Sequence, residues 1–103
     1  MNLKLKEYII KQFKTLKGSP QKISNELKEL IDDHYRIQYN KYFTNGIDTT
    51  ELFLSHHSLL ILIRDLELIE DKKLLLFQML TFEKITEDDY IQKLSELNNL
   101  YTF

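Results

Sequence analysis

Apolar residues recur along this chain mostly at steps of three and four, the spacing that lines one face of an α-helix. Leu5, Ile9, Phe13 and Leu16 do so first, with lysines between them, so a first helix is predicted from about Leu3 to Lys17. Gly18 ends it. Ser19 offers an N-cap oxygen, and Pro20 takes the first helical position, where its missing N–H leaves nothing unpaired. A second helix then runs from Pro20 to about Phe43. Ile23, Leu27, Leu30, His34 and Ile37 form its seam, and Ile31, Tyr35, Tyr39 and Tyr42 widen that seam with an aromatic edge. Residues 37–44 followed by Asn45-Gly46 also suit a hairpin. The hairpin needs a second strand after Gly46, and a strong helix start stands there instead.

At that start Asp48 can cap, Glu51 can return the hydrogen bond to the backbone N–H of Asp48, and Ile47 can staple onto Leu52. The uncharged stretch from Leu52 to Ile63 follows, with His56 and His57 in its middle. A helix that is apolar nearly all round is buried by its neighbours, so this third helix, Thr49 to about Ile69, is expected at the centre of the domain. Glu67, Glu70, Asp71, Lys72 and Lys73 interrupt the pattern. Asp71 can cap a fourth helix over Lys72–Phe82, but no Gly or Pro forces a break, and a single bent helix over 49–83 is the alternative. Thr86 opens the last helix, with Asp89 at its third position and Ile85 placed to staple onto Tyr90. Tyr90, Leu94, Leu97 and Tyr101 share one face. The expected fold is all-α: an antiparallel four- to five-helix bundle with a central apolar helix, its third and fourth helices innermost.

Size and composition narrow the class. The chain has 103 residues, the size of one domain covering 1–103, and a core it can sustain alone. It has no cysteine, which excludes disulfides, a thiol nucleophile and thiolate metal sites. The N-terminus lacks the apolar run of a signal peptide, and the central apolar stretch is shorter than the roughly 20 residues a spanning helix needs. A cytoplasmic protein without a transmembrane segment is expected. The net charge of −2 hides an asymmetry: residues 1–28 carry seven lysines against Glu7 and Glu26, whereas the acids dominate from residue 29 onward.

Catalytic and metal chemistry find little support. Adjacent residues on a helix diverge by about 100°, so His56 and His57 cannot both ligate one ion. Neither has an Asp or Glu at metal-ligand spacing, and His34 has no second histidine one turn away. All three read as core or partly buried neutral rings, for which loosening of the bundle near about pH 6 is expected. The carboxylates cluster at helix ends, where Glu87, Asp88 and Asp89 suit the dipole of a first turn, and a bundle packed by Leu and Phe offers no cleft between paired acids. Gly18 and Gly46 do not make a phosphate loop. No metal, cofactor or catalytic residue is expected. Lys4, Lys11, Lys14 and Lys17, with Lys6 and Lys22 nearby, form a stripe that could face phosphates or anionic lipid. With only Arg36 and Arg64, overall acidity and no basic recognition helix, nucleic acid is an unfavoured partner.

What remains is a protein that works by contact. Tyr35, Tyr39 and Tyr42 gather at one end of the second helix, and exposed tyrosines are typical binding anchors. The acidic segments Glu67–Asp71 and Glu83–Asp89, if brought together, would make a negative patch for a basic partner, with Glu83, Glu87, Asp88 and Asp89 at its centre. The stretch Leu76–Leu80 through Lys84–Leu94 resembles the short helix-turn-helix tails of the SHOCT type found at bacterial C-termini, without the glycine of their turn. Size, helical layout and lack of cysteine are similar to small bacterial immunity proteins that neutralise bacteriocins or toxins. Neither resemblance assigns a family. The expected function is a protein-binding or inhibitor protein of the immunity, antitoxin or anti-defence kind that occludes a partner. The alternative is an adaptor that self-associates, for instance as a homodimer.

Overall fold

The computed structural model describes residues 3–15 and 18–100. The chain forms α1 (Leu3–Lys14), α2 (Pro20–Thr44), α3 (Thr50–Thr81) and α4 (Glu87–Asn98). The first helix is described to Lys14, with Thr15 in a turn; Leu16 and Lys17 lie outside the described residues, as does the tail Tyr101-Thr102-Phe103.

Helix boundaries follow local chemistry. Ser19 Oγ accepts the N–H of Lys22 at 3.1 Å behind Pro20, and Thr86 Oγ1 accepts the N–H of Asp89 at 3.2 Å. The start of α3 differs from the expected box. Asp48 Oδ1 accepts both the N–H and the hydroxyl of Thr50, at 3.0 and 2.8 Å, and Thr49 takes the cap position. The short Asp side chain closes on the nearer donor two residues ahead, a turn that competes with capping the third. These bonds hold the Asp48 carboxyl below its ordinary range, the Thr50 hydroxyl contributing most.

The residues that also suited a hairpin are helical to Thr44. Here α2 closes with two nested bonds, Gly46 N–H to Phe43 O and Ile47 N–H to Tyr42 O, with Gly46 at φ +68°. This terminator needs a residue in the left-handed region, which glycine enters without a Cβ clash. The end of α3 repeats it: Glu83 N–H bonds Leu80 O and Lys84 N–H bonds Met79 O, but the left-handed residue is Glu83 at φ +57°.

The third and fourth predicted helices are one. Charges interrupt the apolar pattern at 67–73 without interrupting the backbone, because none of them removes a helical hydrogen bond. Buried Glu70 instead pairs within the helix with Lys73 at 3.1 Å. At 1.5 Å per residue, α3 is about 48 Å long, and it sets the long axis of a molecule measuring 60 × 22 × 16 Å.

Ile9, Phe13, Leu27, Ile31, Leu59, Leu62, Ile63, Leu66 and Ile69 form the core, with Leu97 of α4 packed against it. Helix α3 touches each of the other three, α1 also meets α2, and among the described residues α4 touches α3 alone. Two pairs tie α2 to α3: Ser24 Oγ donates to Glu67 Oε2 at 2.9 Å, and Asp32 meets His56. Leu30 and Ile37, expected in the seam of α2, are exposed. The expectation that α3 is covered on all sides also fails. Leu54, Ile61, Leu68, Leu74, Leu75 and Phe77 remain about half-exposed, because three neighbours on a helix this long cover one side of it.

Candidate partner-binding site

Residues four apart on a helix stand one above the other. Tyr35, Tyr39 and Phe43 therefore form a row up the side of α2, with ring centroids 5.9 and 6.1 Å apart and the outer two rings nearly parallel. The inner end of the row is fixed. The ring of Tyr35 lies 4.6 Å from that of His56, whose Nε2 sits 2.7 Å from Asp32 Oδ1. The outer end is open: Phe43 is 72% exposed. On α3, His57 stacks on Phe53 at 6.3 Å, and both are exposed.

Tyr42 takes a different direction from Tyr39. Together with Tyr35, His34, His56, Asp48 and Glu51 it lines an open cleft of about 590 Å³ where α2 and α3 meet the 45–49 turn. The chain was expected to leave no such cleft. Aliphatic Ile31, Leu52 and Leu59 line it beside the tyrosine and histidine rings. Asp48 and Glu51 are its acids, and no Lys or Arg lines it.

Of the three histidines expected to be at least partly buried, His34 and His56 are and His57 is not. His57 is exposed and His34 faces the cleft. His56 is largely covered and has the Asp32 carboxylate beside it. No three His, Asp or Glu among the described residues are grouped to hold a metal ion.

The acidic residues do not converge. Glu83, Glu87, Asp88 and Asp89 are exposed around the turn between α3 and α4. Residues 67–71 are no turn but part of α3, where Glu67 receives Ser24 and Glu70 pairs with Lys73. Helix separates Asp71 from Glu83 by roughly 15 Å, and the aromatic row from the acidic turn by roughly 40 Å along α3. The tyrosines and the acidic turn are therefore two separate surfaces. Lys4, Lys11 and Lys14 are exposed on α1 and Lys22 on α2, whereas Lys6 is half-buried and Lys17 falls outside the described residues. No helix among the described residues is long and apolar enough to cross a membrane.

Sequence reasoning found Tyr35, Tyr39 and Tyr42 but not Phe43, although its place four residues after Tyr39 was the available signal. The pairing of Asp32 with His56 joins residues 24 positions apart and left no local trace. The chain matches no known family model, no curated protein and no solved structure.

Proposed function

We propose that this chain is a small cytoplasmic protein-binding or inhibitor protein, of the bacterial immunity, antitoxin or anti-defence kind, that acts by occluding a surface of a partner protein. The observation that carries this reading is the aromatic row with a fixed inner end and an open outer end. Rings held by stacking lose little freedom on binding, and tyrosine offers both apolar area and a hydroxyl at a contact. The adjoining cleft specifies the chemistry of the partner. Its tyrosines, Asp48 and Glu51, with no Lys or Arg in the lining, suit an arginine or lysine projecting from a basic partner, received by cation–π contact and by charge. We read the scaffold as an antiparallel bundle around α3, a reading supported by the pairs Ser24–Glu67 and Asp32–His56, in which later residues of α2 meet earlier residues of α3.

The test is affinity capture from the source cells with the wild-type chain and with Tyr39→Ala/Phe43→Ala. Both residues are exposed, so the melting temperature should hold while a specific partner is lost. Equal recovery of the same partners by both chains would overturn the aromatic-row reading. Charge reversal at Glu87 and Asp88 should leave capture intact. Loss of the partner in that variant would move the contact to the acidic turn.

A further inference from the structure

The outer face of α3 carries a pattern that the core does not use. Leu54, Ile61, Leu68, Leu75 and Phe82 follow one another at intervals of seven residues, from the second turn of the helix to its C-cap. All five are exposed, between 38% and 72%. At about 100° per residue they lie on one line that drifts by about 20° each step, roughly opposite the face of Leu59, Leu62, Ile63 and Leu66 that packs the core. A heptad interval is the spacing at which one helix runs along another as a coiled coil. Within a single chain α4 reaches this line only at its edge, where Leu97 and Leu100 share grooves with Leu75 and Leu68.

The polar residues beside the line specify what covers it. Arg64 and Asp71 flank Leu68 on one side; Asp65 and Lys72 flank it on the other. The line is symmetric about Leu68, and a second copy laid antiparallel with Leu68 on Leu68 sets Ile61 against Leu75 and Leu54 against Phe82. A two-fold axis through Leu68 keeps each flank on its own side. It then brings Arg64 opposite Asp71 of the second copy and Asp65 opposite Lys72 of the second copy, each twice. A parallel pairing would set Arg64 opposite Asp65 and Asp71 opposite Lys72 of the second copy; the antiparallel one also lays the dipoles of the two long helices head to tail. We propose that two copies of this chain associate through the outer face of α3 as an antiparallel pair centred on Leu68. This goes beyond the occlusion reading and uses a different face from the aromatic row.

The area is consistent with such a pair. Five half-exposed large side chains leave on the order of 100 Å² each, so two copies bury about 1,000 Å² of apolar surface, the lower bound for a specific interface. Leu100 borders Leu68 and Lys72 and extends the patch toward α4. One apolar residue per heptad is half of what a full coiled-coil seam presents, so the pair should form at micromolar concentrations.

Sedimentation of the full chain over a micromolar series should show a monomer–dimer equilibrium. Leu68→Glu sets like charges against each other on the axis and should give a monomer with unchanged far-UV circular dichroism. Arg64→Glu should weaken the dimer at least tenfold, and Arg64→Glu/Asp71→Arg should restore it. The chain has no cysteine, so orientation can be read by cross-linking. Leu68→Cys should oxidise to a covalent dimer, whereas Ile61→Cys should do so only when mixed with Leu75→Cys. A wild-type chain that stays monomeric throughout, or Ile61→Cys that cross-links to itself as fast as Leu68→Cys, would overturn the proposal.

Discussion

The hydrogen bond from Ser24 to Glu67 fixes how α2 lies along α3, and hence where the cleft and the aromatic row stand. Ser24 is fully buried, and its Oγ lies 2.9 Å from Glu67 Oε2 across 43 residues of sequence. Hydrogen bonds to a charged partner contribute about 1.5–3 kcal/mol. Glu67 is half-exposed, so water takes up part of the loss when the serine hydroxyl is removed. Ser24→Ala should therefore destabilise the protein by about 1–2 kcal/mol, a fall of roughly 5–10 °C in melting temperature for a domain this size. Glu67→Gln keeps an acceptor but removes the charge, and charge assistance roughly doubles such a bond, so about half that effect is expected. The double variant should lose less than the two single losses together, with a coupling of about 0.5–1 kcal/mol. The assay is urea unfolding followed by far-UV circular dichroism on all four chains, compared at a common m-value. Strict additivity, or a Ser24→Ala chain as stable as wild type, would refute the claim that this contact holds the two helices in register.

Three further outcomes follow from the same geometry. Lys72→Pro should cost about 3 kcal/mol or more, because it breaks a continuous α3; a chain that melts at the wild-type temperature would mean that a separate helix begins there. Glu83→Gly should raise stability by up to about 1 kcal/mol in thermal melts, since it removes a side chain from a left-handed backbone position at the end of α3. The Asp48 carboxyl is held below its ordinary range by the Thr50 hydroxyl and N–H, so its contribution is complete above that range and disappears as pH falls through the lowered value. Asp48→Ala should accordingly be less stable than wild type at neutral pH and converge with it in acid, and a constant gap across an acid titration of thermal stability would contradict this.

Much of this structure was legible because it is local. Ser19-Pro20 and Thr86 with Asp89 start their helices as the residues alone dictate, since a cap needs only a side-chain oxygen within reach of an N–H three residues ahead. The aromatic edge of α2 was visible for the same reason, because residues four apart meet wherever a helix forms. The charges at 67–73 misled because a break in hydrophobic pattern is not a break in backbone hydrogen bonding. The acid of the second terminator, Glu83, gave no sign of its left-handed conformation, which glycine would have announced.

By itself, then, the sequence determined that this chain is helical, where most helices begin, and which faces carry Ile9, Phe13, Leu27, Ile31 and Ile63 inward. Tertiary structure alone decided which of the remaining apolar residues stay outside. Three partners cover one side of α3, and burial depends on what lies opposite a residue rather than on the residue. For that reason Leu66 and Leu68, two positions apart and chemically identical, differ completely: the first is sealed in the core, and the second stands open at the middle of the outer face. The same holds for His56, whose partner Asp32 arrives from another helix and cannot be read from its neighbours in the chain.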